Sequence, residues 1–298
     1  MKAAILLTTR DKVRYTTDAV RSMFAQVGPP IELLLSDSGS VDGTRELLDD
    51  LARSYNGPHT VRRLNCPCAQ SPGMPGLNAH LNWCMTQTDA DVVMQLSGDD
   101  YDLAQRSELT IRAFEAHSPS MVLGAMYYVT PEMAYLGETP FLAEDRLATV
   151  EDMTLRYLGG STCQAWTHEF WDAIAPMSGV GSIDVPLPFL ACLHKGAYAL
   201  KTRMHVYRKV LGPQNTGLEG VYGAVPEGDP RRLQLEELMH FQVTAGHYFA
   251  LGKMQEKGWT TPEAMNALAQ AILDRNASWV NVRQRMSFEG VPPLPFKV

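Results

Sequence analysis

"LLLSDSGSVDGTRELL", residues 33–48, sets an apolar run against a Ser/Asp/Gly cluster and then a helix-like stretch. Residues 31–35 read as a short buried strand, and 43–55 as a helix. The same order repeats on both sides. Upstream, residues 3–7 (AAILL) are an apolar run that stops at Thr8-Thr9; a helix over 14–27 follows from the spacing of Val20, Phe24 and Val27 and ends at Gly28-Pro29-Pro30. Downstream, "HTVRRLN" (59–65) is a third strand, a Pro/Gly loop runs through Gly76, and a helix covers 77–87. "DVVMQL" (91–96) is then a strand that runs straight into Ser97-Gly98-Asp99-Asp100. Strands alternating with helices predict an α/β fold with a mainly parallel sheet covered on both faces. Ligands of such sheets sit at the carboxyl ends of strands. Thr8-Thr9, the loop 36–43 and the cluster 97–100 all fall at those ends.

Beyond residue 120, "MVLGAMYYVT" reads as a strand and 131–150 as irregular. "MTLRYLGGSTCQAWTHEFWDAI" joins a Gly-Gly turn to a short aromatic-rich helix. "DVPLPFLACLHKG" is a helix that opens after two prolines and ends at Gly196, and "AYALKTRMHVYRKV" is strand-like. Residues 212–229, rich in Gly and Pro, form a loop, and from 230 the pattern is helical.

With 298 residues, 45% of them hydrophobic, the chain can build a proper core. Its 33 acidic and 26 basic residues give a net charge of −7, which disfavours general binding to nucleic acid or anionic membranes. Five scattered cysteines suit a reducing compartment, and Cys66-Pro-Cys68 lacks the spacing of a zinc knuckle. The N-terminal apolar run is too short for a signal h-region or a membrane span. A soluble, cytoplasmic protein is expected.

Asp99 and Asp100 after a strand are either acids decorating a helix start or ligands for a hard cation such as Mg²⁺ or Mn²⁺. The loop 36–43 fits neither Gly-x-Gly-x-x-Gly nor the P-loop, because its glycines are Gly39 and Gly43 and no Gly-Lys-Ser/Thr follows. A dinucleotide or ATP site is not expected.

Ser-Asp-Ser-Gly-Ser-Val-Asp-Gly-Thr after a hydrophobic strand resembles the Asp-Asp-Gly-Ser-Thr-Asp-Gly-Thr stretch of family 2 glycosyltransferases, which have the GT-A fold. Other positions extend the resemblance in order over residues 3–210. "ILLTTRDKVRY" matches the family's first strand and nucleotide-contacting helix, and "MQLSGDD" its Asp-x-Asp-Asp element. Asn82 lies fifteen residues before Ser97, as an Asn does in the family. Gly159-Gly160-Ser161 matches an acceptor-side segment. Asp184 matches a helix-start general base and Tyr207-Arg208 a closing strand. Departures are also specific. Ser97 stands where the family has the first acid of its Asp-x-Asp, Ile183 where an acid usually precedes the base, and Leu81 where Arg is common. No His follows Tyr207-Arg208, which leaves Gln214 or Asn215 as substitutes for the last metal ligand.

The resemblance implies a GT-A domain over 1–212, with a nucleotide-binding half (1–102) and an acceptor half (103–212), followed by a loop and helical extension over 213–298. It implies an inverting, metal-dependent glycosyltransferase that takes a nucleotide-diphosphate sugar, UDP-sugar first, and a divalent cation, Mn²⁺ or Mg²⁺, held by Asp99 and Asp100. Donor contacts are expected from Thr8, Thr9, Arg10, Asp37, Ser38, Gly39, Ser40, Asn82, Ser97, Gly98 and Asp99. Asp37 is favoured as the base-binding residue, and Asp42, Gly39 and Gly43 as turn formers. Asp184 is expected to take the acceptor's proton, with a helix cap as its ordinary alternative. Gly160, Ser161, Trp166 and Arg208 are expected on the acceptor side, although aromatics at the spacing of Trp166, Phe170 and Trp171 more often build a core. The basic stretch from Lys195 through His205 to Lys209 reads mostly as a solvated strand face, and His240 and His247 read as structural. Two further readings stay open: a degenerate GT-A module that binds a nucleotide or glycan without catalysis, and a nucleotidyltransferase. The hydroxyl acceptor is open too, from a glycan or lipid-linked sugar to a modified nucleic-acid base, and the C-terminal helices are candidates for a homo-oligomer contact.

Overall fold

The computed structural model describes residues 1–292 apart from 69–73, 140, 156–162, 179–182, 211–224 and 226–227. Its first half alternates as read: β1 (Ala3–Thr9), α1 (Val13–Phe24), β2 (Glu32–Asp37), α2 (Thr44–Ser54), β3 (Thr60–Asn65), α3 (Met74–Met85) and β4 (Val92–Ser97). The second half holds β5 (Tyr101–Asp102), α4 (Arg106–His117), β6 (Met121–Val129), β7 (Tyr135–Glu138), β8 (Arg146–Ala148), α5 (Val150–Leu155), β9 (Gln164–Thr167), α6 (His168–Ile174), α7 (Pro186–His194) and β10 (Ala197–Arg208). Two long helices follow, α8 (Arg231–Lys257) and α9 (Pro262–Phe288).

One sheet runs through the molecule in the order β3-β2-β1-β4-β9-β6-β10-β5, with β7 on β6 and β8 on β10. Strands β1 to β4 are parallel; β9 is antiparallel to both β4 and β6, and β10 is parallel to β6. All of the sheet's long strands therefore end at one edge. Alternation along the strands explains the two covering layers. Ile5, Leu7, Leu33, Leu35, Met94 and Leu96 face α1, α2 and α4, while Ala4, Leu6, Leu34 and Val93 face α3, α6 and α7. The C-terminal helices join this second layer, because Ala250, Met254, Ala264 and Leu268 share its apolar cluster. Between them, Gly258 takes φ +69° to end α8, and Thr261 caps α9 by accepting from the Ala264 N–H.

Two expectations need correction. Residues 131–150 are not irregular throughout, since β7, β8 and the start of α5 lie there. Residues 164–167 (QAWT) form β9 instead of leading a helix, and this four-residue strand fills the gap between β4 and β6. It is buried on both faces and runs directly into α6, so a helical spacing of aromatics masks it. Among the described residues no helix is long and apolar enough to cross a membrane.

Candidate functional site

The carboxyl ends of β1, β2 and β4 bring the three polar clusters into register. Thr8 pairs with Ser36 on one side and Ser97 on the other, and Thr9 pairs with Asp37. Two hydrogen bonds carry the ladder past the strands, Ser38 N–H to the Thr9 carbonyl and Gly98 N–H to the Thr8 carbonyl, both 3.1 Å.

The loops above this edge are clasped together. Asp11, at φ +51°, donates its N–H to Ser40 Oγ (2.8 Å) and accepts the Val41 N–H on Oδ1 (2.8 Å). Asp42 accepts the Val13 N–H (3.0 Å) and Thr44 N–H (3.0 Å), and Thr44 Oγ1 accepts the Lys12 N–H (3.0 Å). Burial pushes the Asp42 carboxyl up, but the hydrogen bonds from Thr44 and Val13 outweigh it and hold it below the ordinary range. Asp42 has the turn role expected of it. The clasp through Asp11 was not legible, because nothing in the spacing of a lone Asp shows which loop it grips.

Asp37, expected to bind the base, is fully buried, and its carboxylate accepts the Gly39 N–H (3.0 Å), the Ser40 N–H (3.1 Å) and the Ser40 hydroxyl. With Arg45 Nε 3.5 Å away, these contacts also let it shape its own loop. Gly39 at φ +81° gives the loop a left-handed step that an L side chain would strain. Ser38 and Ser40 stay in this loop, and Arg10 stands half-exposed, 3.7 Å from Asp11.

Gly98 lies against Thr9. A Cβ at this position would fall 2.2 Å from Thr9 Oγ1 and 2.5 Å from Thr9 Cβ. Gly98→Ala should therefore cost about 1–3 kcal/mol of overpacking, read as a lower urea midpoint. An unchanged midpoint would refute the tight contact. Thr9 Oγ1 is itself buried without a hydrogen-bond partner, an orphaned group at the place where a ligand is expected.

The acidic pair splits. Asp99 accepts the Ser97 hydroxyl on Oδ1 (2.6 Å) and the Lys12 ammonium on Oδ2 (2.5 Å), with the Lys12 side chain only 5% exposed. Asp100 turns the other way, into the protein. Its Oδ1 accepts the Arg208 N–H (2.8 Å) and its Oδ2 lies 3.4 Å from His205 Nε2. His205 in turn faces Asp102 through Nδ1 (2.7 Å), and Arg106 donates to the same carboxylate oxygen of Asp102 (2.5 Å). Burial alone would push His205 down, but the carboxylates on both sides hold it above its ordinary range. Burial also raises Asp100. Asp100 is thus not available as a metal ligand, which corrects that expectation.

A divalent cation fits this donor set poorly. The acid at the first position is Ser97, Asp100 is sealed, and both oxygens of Asp99 are engaged, one by a cation already. Among the described residues no group of three or more His, Cys, Asp or Glu is arranged to hold a metal. Gln214 and Asn215 lie outside the described residues.

Asp184 stands just ahead of α7, half-buried, with Val185 at the cap position and Pro186 first in the helix. Gly196, at φ +98°, turns the end of α7 into the start of β10. That connection puts the far end of α7, and Asp184 with it, toward the carboxyl edge of the sheet. Ile183 is fully buried in the apolar layer, which explains why a hydrophobic residue replaces the acid there. Asn82 does not face the nucleotide edge as expected. Its amide is turned to the Met177 backbone, accepting its N–H (3.0 Å) and donating to its carbonyl (3.3 Å), and so ties α3 to the residues just after α6.

The acceptor-side set is corrected in part. Trp166 is fully buried on β9, stacked on Trp171 at 5.2 Å, with no face for a sugar. Arg208 is 2% exposed, bonded to Asp18 (2.8 Å) and laid over the Tyr15 ring at 4.8 Å, so it ties β10 to α1. With His205, it shows that the basic stretch of β10 is not simply a solvated face. Gly160 and Ser161 lie outside the described residues.

Residues 4–142 match the family described as glycosyl transferase family 2. Over 136 residues the chain is 24% identical to EpsE of Bacillus subtilis (strain 168), a protein provisionally named a glycosyltransferase; the match spans 46% of this chain and 46% of that one. The chain thus corresponds to about half the length of this curated relative. The fold is shared with S. aureus TarS. Its 1–349 fragment in complex with UDP-GlcNAc superposes with a TM-score of 0.56 at 15% identity, covering 93% of this chain and 81% of that one. The complex with UDP gives 0.53 at 13% identity over 95% and 92%.

Proposed function

We propose that this chain, whose residues 4–142 match glycosyl transferase family 2 and whose fold is shared with TarS, moves a sugar from a nucleotide-diphosphate donor to a hydroxyl acceptor. The observation that carries this reading is the register of Thr8-Thr9, Asp37 and Ser97 at one sheet edge. UDP-sugar is the preferred donor, since solved structures of the similar fold of TarS contain UDP-GlcNAc and UDP.

In the proposed reaction the acceptor hydroxyl attacks the anomeric carbon from the face opposite the nucleotide. The bond between that carbon and the diphosphate oxygen breaks, the electron pair leaves with the diphosphate, and the hydroxyl proton goes to Asp184. One displacement inverts the anomeric centre. The clasped loops hold the nucleotide end still, which is the positioning such a step needs. A divalent cation of the family type would polarise the leaving diphosphate, but the residues at Asp99 and Asp100 do not fit it, so no step is assigned to it. A cytoplasmic site of action and self-association through α8 and α9 belong to the same proposal.

Incubation with a panel of UDP-, GDP- and TDP-sugars, with and without Mn²⁺, tests the reading through nucleoside diphosphate released by slow hydrolysis. Release with at least one donor supports it. Saturable binding without release from any donor would instead make the chain a binding module.

A further inference from the structure

We propose that Lys12 is the resident cation of the donor site, and that its ammonium takes the place of a divalent metal at the leaving diphosphate. The proposal rests on the nucleotide-sugar reading above and adds to it what neutralises the charge.

Three independent features converge on Lys12. First, its backbone is fixed from both sides. The N–H is held by Thr44 Oγ1, and the carbonyl accepts the Tyr15 and Thr16 N–H groups at 2.9 and 3.0 Å and the Thr16 hydroxyl at 2.8 Å. The side chain is thereby aimed from the start of α1 across the tip of β1. Second, the Nζ meets Asp99 Oδ2 at 2.5 Å while almost wholly buried. A lysine is rarely buried without a reason, and here a carboxylate faces it. Third, Gly98, next to Asp99 in the chain, packs against Thr9, whose buried Oγ1 has no hydrogen-bond partner and can meet an anion's oxygen.

The chemistry of the neighbours decides between ammonium and metal. A divalent ion binds through carboxylate oxygens and completes its shell with water and phosphate. Here Asp99 already holds an ammonium on one oxygen and the Ser97 hydroxyl on the other. A second cation at the same carboxylate would have to displace the first or sit against its charge. A diphosphate has the opposite sign. It brings the negative charge that Lys12 lacks beyond Asp99, and an ammonium has three N–H bonds to share between the carboxylate and phosphate oxygens. Asp99 then acts as a positioning residue that keeps Lys12 extended. Ser97, in place of a first acid, keeps the local balance from turning negative and so favours the diphosphate.

Calorimetric titration of UDP, GDP and ADP into the full chain, once in EDTA and once in Mn²⁺, tests this directly. For whichever nucleotide binds, the affinities in the two buffers are expected to agree within about threefold. Lys12→Met should weaken binding in EDTA at least tenfold, while Lys12→Arg should retain it. The spin-resonance signal of Mn²⁺ alone should show no binding to the unmodified chain and a gained site in Lys12→Met, whose Asp99 is freed. A tenfold or greater loss of affinity on chelation in the unmodified chain would overturn the proposal, and that comparison needs no variant to fold. So would a folded Lys12→Met chain that binds as the unmodified one does. Absence of binding by all three nucleotides in both buffers would instead overturn the donor reading itself.

Discussion

Asp184→Asn is expected to lower the transfer rate by about a thousandfold, within the usual range for loss of a general base, while nucleotide affinity stays within twofold. The amide matches the carboxylate in size, so the start of α7 keeps its shape, and only the ability to take a proton is removed. The split between rate and affinity separates this role from the ordinary one. Were Asp184 a cap or a donor contact, the variant would bind nucleotide more weakly or lose thermal stability, and the rate with saturating donor would survive. Steady-state kinetics with saturating donor, beside calorimetry with UDP, reads both quantities on one preparation.

Asp102→Ala carries the largest expected effect on stability. Asp102 is buried, and its Oδ1 receives Arg106 and His205 together. Arg106 also reaches the Gln95 carbonyl at 2.8 Å and the Gln164 carbonyl at 3.2 Å, so one guanidinium ties α4 to β4 and β9. Removing the anion takes the carboxylate away from the buried Arg106 guanidinium and from His205 Nδ1, and breaking a buried pair in this way costs about 3–5 kcal/mol. That is a large part of the total stability of a typical domain. Urea unfolding should show it as a much lower midpoint, whereas Asp89→Ala, which breaks an exposed pair with Lys2, should leave the midpoint unmoved. A midpoint shift for Asp102→Ala no larger than that of Asp89→Ala would contradict the account of this cluster.

The parts of the molecule that were legible share one property: they are written in local sequence. β1, β2 and β4 are apolar runs that stop at polar clusters, and α7 opens on prolines and closes before a glycine. That was enough for the sheet, the edge where its polar clusters meet and the start of α7. β9 was not legible because four residues buried on both faces carry no period of their own. Trp166 was placed in a helix for the same reason, since its distance from Phe170 and Trp171 copies one, while the core role preferred for these aromatics is the one they have.

Within the site, residue type was legible and the use of each oxygen was not. Asp37 ends β2 and Asp99 lies two residues past the end of β4, yet one closes its own loop and the other holds a lysine from a different loop. His205 and Arg208 looked solvated because their partners are distant in sequence. His205 meets Asp102 across 103 positions, and Arg208 meets Asp18 across 190. Lys12 was missed for the same reason, its partner Asp99 lying 87 residues away. Charge matched across such distances appears only once the chain is folded.

On this reading a nucleotide diphosphate binds at the carboxyl edge formed by β1, β2 and β4. Hydrogen exchange followed by mass spectrometry, with and without saturating UDP, tests it most directly because it reports where the ligand sits as well as whether it binds. Slower exchange is predicted for peptides covering residues 8–13, 37–44 and 96–100, with α8 and α9 unchanged. Protection confined to the C-terminal helices, or to the opposite edge of the sheet, would contradict it.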